Sequence, residues 1–164
     1  MTAALIIDLD DTLADTSGLA AMRQSRRWRD CVKNINLAAS FDQISETIAS
    51  LRSHNIKVGI VTASVSFYAE ALLRHLDVSY DTLVAYHDCS PRKPHPAPIV
   101  MAMQRLSCSP DATIGVGDAF IDCDAYQAAG IPAWGAGWSA HLDRTADWDK
   151  LLDSPTELLE HFLP

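Results

Sequence analysis

The stretch Ala3-Ala4-Leu5-Ile6-Ile7-Asp8-Leu9-Asp10-Asp11-Thr12 decides the fold. Five apolar residues in a row, with polar residues close on either side, form a segment far too short to cross a bilayer and of the length of a buried strand. The run stops abruptly at three carboxylates within four positions. An apolar strand that delivers acids at its carboxyl end is what a parallel α/β sheet places at its ligand site.

Outward from this segment the pattern repeats. Lys57–Val61, Thr82–Tyr86, Thr113–Val116 and Ile131–Trp134 read as further strands. Between them apolar residues recur at helical spacing: Ile44, Ile48 and Leu51; Ala69, Leu72, Leu73 and Leu76; Ile99, Met103 and Leu106; and, last, Leu158, Leu159 and Phe162. These stripes are core faces. The alternation predicts one α/β domain over 1–164, a Rossmann-like parallel sheet flanked by helices. Its one irregular segment, 14–40, is expected to be a short basic insertion after the first strand and to act as a partial lid. The length of 164 residues and an apolar fraction of 48% suit a single domain with a sizeable core.

Composition excludes several classes. A formal charge of −8 would be repelled by a nucleic-acid backbone, so general nucleic-acid binding is not expected. No run spans a membrane, and the amino terminus lacks the basic start and long apolar middle of a secretion signal, so a cytoplasmic setting is expected. Cys31, Cys89, Cys108 and Cys123 show no metal-ligand spacing and read as reduced thiols. Of the 13 basic residues, Arg23, Arg26, Arg27, Arg29 and Lys33 fall in one stretch with Asp30 as the single counter-charge.

The residues after each strand form a set. The first strand delivers Asp8 to Thr12, the second Thr62, Ala63 and Ser64. The loop after the third carries Arg92-Lys93-Pro94, and the fourth ends in Gly117-Asp118, with Asp122 and Asp124 beyond. Asp8 and Asp10 repel one another unless a cation lies between them or one takes a proton. Magnesium prefers hard oxygen ligands and can grip a substrate phosphate at the same time. One carboxylate can then act as nucleophile and the other as proton donor and acceptor. Lys93 and the Thr62 hydroxyl are the right types to hold equatorial phosphate oxygens.

This ordered set resembles the haloacid dehalogenase superfamily, in particular its phosphatases. The likeness rests on Asp8–Thr12 after an apolar strand, Thr62, Lys93 before a proline, and Gly117-Asp118 followed by Asp122. Gly117–Gly130 with Ala125, Ala128 and Ala129 is similar to the family's fourth motif and its helix, and Asp153–Leu159 to its last helix. The resemblance implies Asp8 as nucleophile and Asp10 as general acid/base. It implies Thr62, the Ala63 N–H and Lys93 as phosphate holders. A magnesium site would use Asp8, the Asp10 carbonyl and Asp118, with Asp122 as a ligand or near neighbour. Asp11 stands where the family usually has glycine, and Ala63 where asparagine is frequent.

Blander readings exist for each residue. The first acids could form a turn, Asp118 could cap the following helix, and Asp122 could lie on that helix's surface, as Asp124 is expected to. His95 reads as a loop residue and Cys123 as a packing residue. The arginines could line a solvated helix face over buried Trp28, or hold a second anionic group on the substrate. There is no room for a full cap domain, so the site should be open. It would then take a small phosphorylated molecule, or a phosphorylated macromolecule unless a neighbouring subunit of a homo-oligomer covers it. A dehalogenase would not need Asp10, because halide leaves without a proton. A mutase would need a lid that excludes water, and a non-catalytic binding module would not need all four motifs intact.

Overall fold

A computed structural model of the chain describes residues 2–163. In chain order the elements are β1 (Ala4–Ile7), β2 (Ala14–Asp15), α1 (Ala20–Gln24), α2 (Trp28–Lys33), β3 (Ala39–Ser40), α3 (Ile44–Ser53), β4 (Lys57–Val61) and α4 (Ser66–His75). They continue with β5 (Thr82–Val84), α5 (Ala97–Leu106), β6 (Thr113–Gly117), α6 (Phe120–Ala128), β7 (Ala133–Ala136), β8 (Lys150–Leu152) and α7 (Glu157–Phe162).

Every residue of β1 is buried, and its side chains alternate between two cores. Leu5 and Ile7 face a layer built from Ile44, Ile48 and Leu51 of α3, Leu72 and Leu73 of α4, and Leu158 of α7. Ile6 faces the opposite layer, with Ile99 and Met103 of α5 and Tyr126 of α6. A strand covered on both faces has no solvent side, which is why it reads as a continuous apolar run. All four predicted stripes thus turn inward.

Among the described residues the main sheet has six strands in the order β5-β4-β1-β6-β7-β8, with every pairing parallel. Ile7 lies level with Ile60 on one side and Val116 on the other. The chain runs outward from β1 through β4 to β5, then returns to β1's other edge as β6. That reversal opens a crevice beyond the carboxyl end of β1, the place where open α/β sheets bind ligands.

The structure corrects several sequence boundaries. The third strand ends at Val84, because Ala85 N–H turns to the Asp88 carboxylate at 2.8 Å and Arg92 Nε binds the Tyr86 carbonyl at 2.7 Å. The strand expected at Ile131–Trp134 starts later, at Ala133. Ile131 N–H is held by the Tyr126 carbonyl as α6 ends, with Gly130 at φ +78°. Strand β8 was not read from sequence: it is three residues long, and Leu151 is exposed while Leu152 is buried. The last helix begins at Glu157, whose carboxylate accepts the N–H groups of Asp153 and Ser154 at 2.6 and 3.2 Å.

Segment 14–40 is closed at its base by an antiparallel ribbon, Ala14 opposite Ser40 and Asp15 opposite Ala39. Among the described residues no helix is long and apolar enough to cross a membrane. All four cysteines are free, Cys31 and Cys123 buried and the other two half-buried.

Leu5 lies fully buried on the central strand. Leu5→Ala should cost about 2–5 kcal/mol in urea unfolding, the range for emptying a tightly packed leucine site.

Candidate active site

Asp8 sits one residue past β1, and its N–H still follows the ladder to the Val116 carbonyl at 3.0 Å. That bond fixes the backbone, so the carboxyl leaves the sheet into the crevice. Asp118 leaves the neighbouring strand β6 in the same way. Carboxylate oxygens of Asp8, Asp118 and Asp122 all lie within 4.8 Å of one another, and the three residues are buried.

Asp122 is not on the helix surface. It occupies the third position of α6, where one oxygen accepts Asp118 N–H at 3.3 Å and Ala119 N–H at 3.1 Å. The residue that caps α6 is Ala119, so Asp118 is not the cap. Gly117 makes this packing possible, because a Cβ there would stand 2.5 Å from the Asp122 Cβ and 2.7 Å from its carboxyl carbon.

Lys93 is the cation of the group. Its Nζ donates to Asp8 Oδ1 at 2.9 Å, Asp122 Oδ1 at 2.6 Å and the Val61 carbonyl at 2.9 Å, and its side chain is 4% exposed. Thr12 Oγ lies 2.9 Å from Asp118 Oδ1 and 3.3 Å from Asp8 Oδ2. One ammonium against three acids leaves the cluster short of positive charge. Burial, then repulsion from Asp122, pushes the Asp8 carboxyl well above the usual carboxylate range, against the pull of Lys93. The same two causes push Asp118 up to about 6. Burial alone would lower the Lys93 pKa, but Asp122 and Asp8 more than offset it and the ammonium is held charged. Compact, buried, all-oxygen and under-neutralised, the group fits a hard divalent cation such as magnesium.

The Asp10 carboxylate stands apart from that cluster. Oδ1 accepts from Thr16 Oγ at 2.9 Å and Tyr68 Oη at 2.7 Å, and Oδ2 accepts from Ser64 Oγ at 2.6 Å. Arg23 adds an ion pair, with Nε 3.4 Å from Asp10 Oδ1 and a terminal nitrogen 3.2 Å from Asp11. Asp11 has φ +63°, the left-handed conformation that explains a glycine preference at this turn. Aspartate tolerates that region better than most residues.

Thr62 is buried at the end of β4, its Oγ accepting Ser64 N–H at 3.0 Å, and Ala63 is exposed beside it. Every predicted site residue, Asp8, Asp10, Thr62, Ala63, Lys93, Asp118 and Asp122, lines one cavity of about 810 Å³. Asp124 is exposed and Cys123 buried, as expected. His95 is an exposed loop residue whose Nδ1 accepts Ala97 N–H.

The basic stretch does not act as a unit. Arg23 turns inward to the acids, Arg27 pairs with Asp30 at 2.7 Å on the surface, and Arg26 lines the cavity with its guanidinium 5.8 Å from the Tyr86 ring centre. Among the described residues Arg26 has no ion-pair partner. Sequence reasoning missed Thr16, Arg23's inward role, and the donation from Ser64 and Tyr68. Tyr68 lay one turn before Leu72 on the apolar stripe of α4, where a polar-tipped residue signals a buried hydrogen bond.

The profile of haloacid dehalogenase-like hydrolases matches residues 20–136, and the chain belongs to that family. It is 33% identical over 159 residues to pyrophosphatase PpaX of Bacillus anthracis, an alignment covering 92% of this chain and 73% of that one. It is 30% identical over 133 residues to PpaX of Oceanobacillus iheyensis, 80% of this chain and 60% of that protein. Phosphoglycolate phosphatase of Salmonella typhimurium is 27% identical over 124 residues, 73% of this chain and 49% of that enzyme. The chain therefore spans about half to three-fifths of several of its relatives. CbbY from Rhodobacter sphaeroides, solved in complex with phosphate, superposes with a TM-score of 0.82 at 20% identity over 96% of both chains, a likeness of fold.

Removing the ammonium leaves buried acids facing each other. Lys93→Met should destabilise the magnesium-free protein by about 3–5 kcal/mol in urea unfolding, the range for breaking a buried ion pair from one side.

Proposed function

We propose that the chain is a magnesium-dependent phosphohydrolase that cleaves phosphate monoesters through an aspartyl-phosphate. The observation that carries this reading is the Asp8 carboxylate, held by Lys93 Nζ at 2.9 Å and facing the cavity beside Asp118 and Asp122. An oxygen of Asp8 attacks phosphorus, and the bond from phosphorus to the ester oxygen breaks. Asp10 gives its proton to that oxygen. Water then attacks the phosphorus of the acyl phosphate, Asp10 takes the water's proton, and Asp8 leaves as a carboxylate. Lys93 and the Thr62 hydroxyl hold equatorial oxygens, joined by the Ala63 N–H. Asp8, Asp118, the Asp10 carbonyl and Asp122 would hold the magnesium, which supplies charge neutralisation for the transferring phosphoryl group.

The leaving group extends toward Arg26, the cavity-lining arginine without an ion-pair partner among the described residues. A small phosphorylated molecule with a second anionic group fits that arrangement. Phosphoglycolate, named for one set of relatives, has that feature, as does the pyrophosphate named for another. Segment 14–40 acts as a partial lid, because Arg26 and Trp28 form one wall of the cavity. Four free thiols suit a reducing cytoplasmic setting.

Phosphate release from 4-nitrophenyl phosphate should require magnesium and fall at least about 1,000-fold in Asp8→Asn, as expected when a nucleophile is removed. Release that survives this substitution would overturn the mechanism. Arg26→Ala should raise KM for 2-phosphoglycolate about tenfold and leave phenyl phosphate nearly unchanged, since one charge-assisted hydrogen bond is worth about 1.5–3 kcal/mol.

A further inference from the structure

We propose that Tyr68, with Ser64, is a positioning residue that orients the Asp10 carboxyl for proton transfer to the leaving group. This inference rests on the phosphatase reading above. Asp10 lies on the loop just beyond β1, next to a left-handed turn at Asp11, and its carboxyl could rotate about two side-chain torsions. Both oxygens are nevertheless pinned, Oδ1 by Tyr68 Oη at 2.7 Å and Oδ2 by Ser64 Oγ at 2.6 Å. Thr16 and Arg23 add contacts to Oδ1 from segment 14–40.

Ser64 comes from the connection between β4 and α4, which also carries Thr62, and Tyr68 from the first turn of α4. The group that holds phosphate and the groups that aim the acid are therefore parts of one short segment in which Thr62, Ser64 and Tyr68 are buried. Proton donation needs the donor within hydrogen-bond reach of the ester oxygen, so an error in carboxyl rotation costs rate even when phosphate binds normally. Ser64 and Tyr68 on the sheet side, with Thr16 and Arg23 of segment 14–40, together set the acid's direction.

Tyr68 is suited to the task. It is fully buried, its ring packs against Trp28 with centres 5.4 Å apart, and its position is set by the apolar face of α4. Its hydroxyl donates directly to Asp10 Oδ1 at 2.7 Å. A purely structural account would have Tyr68 packing in the core and using Asp10 merely to satisfy its hydroxyl.

The leaving group separates the two accounts. 2,4-Dinitrophenolate departs without a proton, whereas phenolate from phenyl phosphate needs one. The value of kcat/KM reports only steps up to that departure. In Tyr68→Phe, kcat/KM for phenyl phosphate should fall about 10–100-fold, a fraction of the roughly 100–10,000-fold that a general acid contributes, because the acid itself remains. The loss should be at least ten times smaller on 2,4-dinitrophenyl phosphate. Ser64→Ala should show the same dependence and serves as the second variant if Tyr68→Phe does not fold. Equal losses on both substrates, or no loss on phenyl phosphate, would overturn the positioning role while leaving the phosphatase reading intact. A folded wild-type protein inactive on both would remove the phosphatase reading and this inference with it.

Discussion

Three buried carboxylates around one ammonium are the constraint to which the rest of the structure answers. Acids do not share a dry crevice without compensation, because each loses its hydration and faces like charge. Lys93 compensates for part of this by touching Asp8 and Asp122, while backbone N–H groups of Asp118 and Ala119 hold the other Asp122 oxygen. The remaining deficit of positive charge is what a divalent cation would resolve. The parallel sheet serves this end: β1 and β6 are neighbours in register, so Asp8 and Asp118 leave the sheet side by side. Gly117 then leaves room for Asp122 to fold back against the strand end.

Asp10 shows the opposite electrostatic design two residues away. Its carboxylate oxygens receive three hydroxyl donors and one guanidinium, and Lys93, the cation of the acidic group, does not touch them. Neighbouring carboxylates on one loop are thus kept in different environments, Asp8 among like charges and Asp10 among donors. The Asp11 turn separates the two paths, and Arg23 bridges Asp10 to Asp11 across it.

Much of this was legible in the sequence because the information is local. A continuous apolar run ending in acids fixes a buried strand and the direction of its site, and the same reading holds for Lys57–Val61 before Thr62 and for Thr113–Gly117 before Asp118. What escaped depended on pairs far apart in the chain. Tyr68 meets Asp10 across 58 positions, and nothing in a helix stripe reveals which acid its hydroxyl will find. Strand β8 escaped for a different reason: three residues at a sheet edge carry too little periodicity to be read, and its place is set by Trp134 and Gly135 of the strand beside it. Asp122 was ambiguous because a third helical position is ordinarily solvent-facing, and only the strand–turn–helix geometry at Gly117 turns it inward.

The basic stretch shows how one sequence feature divides when it folds. A cluster of arginines reads as a single positive face, yet the chain assigns them by what each can reach. Arg23 is consumed by the acids behind it and Arg27 by Asp30 in front. Arg26 lies between them, at φ +55° in the turn that separates α1 from α2, and lines the cavity beside Trp28. In a chain whose formal charge is −8, an arginine without an ion-pair partner among the described residues, lining a cavity with buried acids, is locally opposed to the overall field. Its effect on the anionic leaving group proposed above would be short-ranged, acting through direct hydrogen bonds rather than long-range steering. On the proposed reading, selectivity would rest with the short segment after β1 and the chemistry with the ends of the sheet strands.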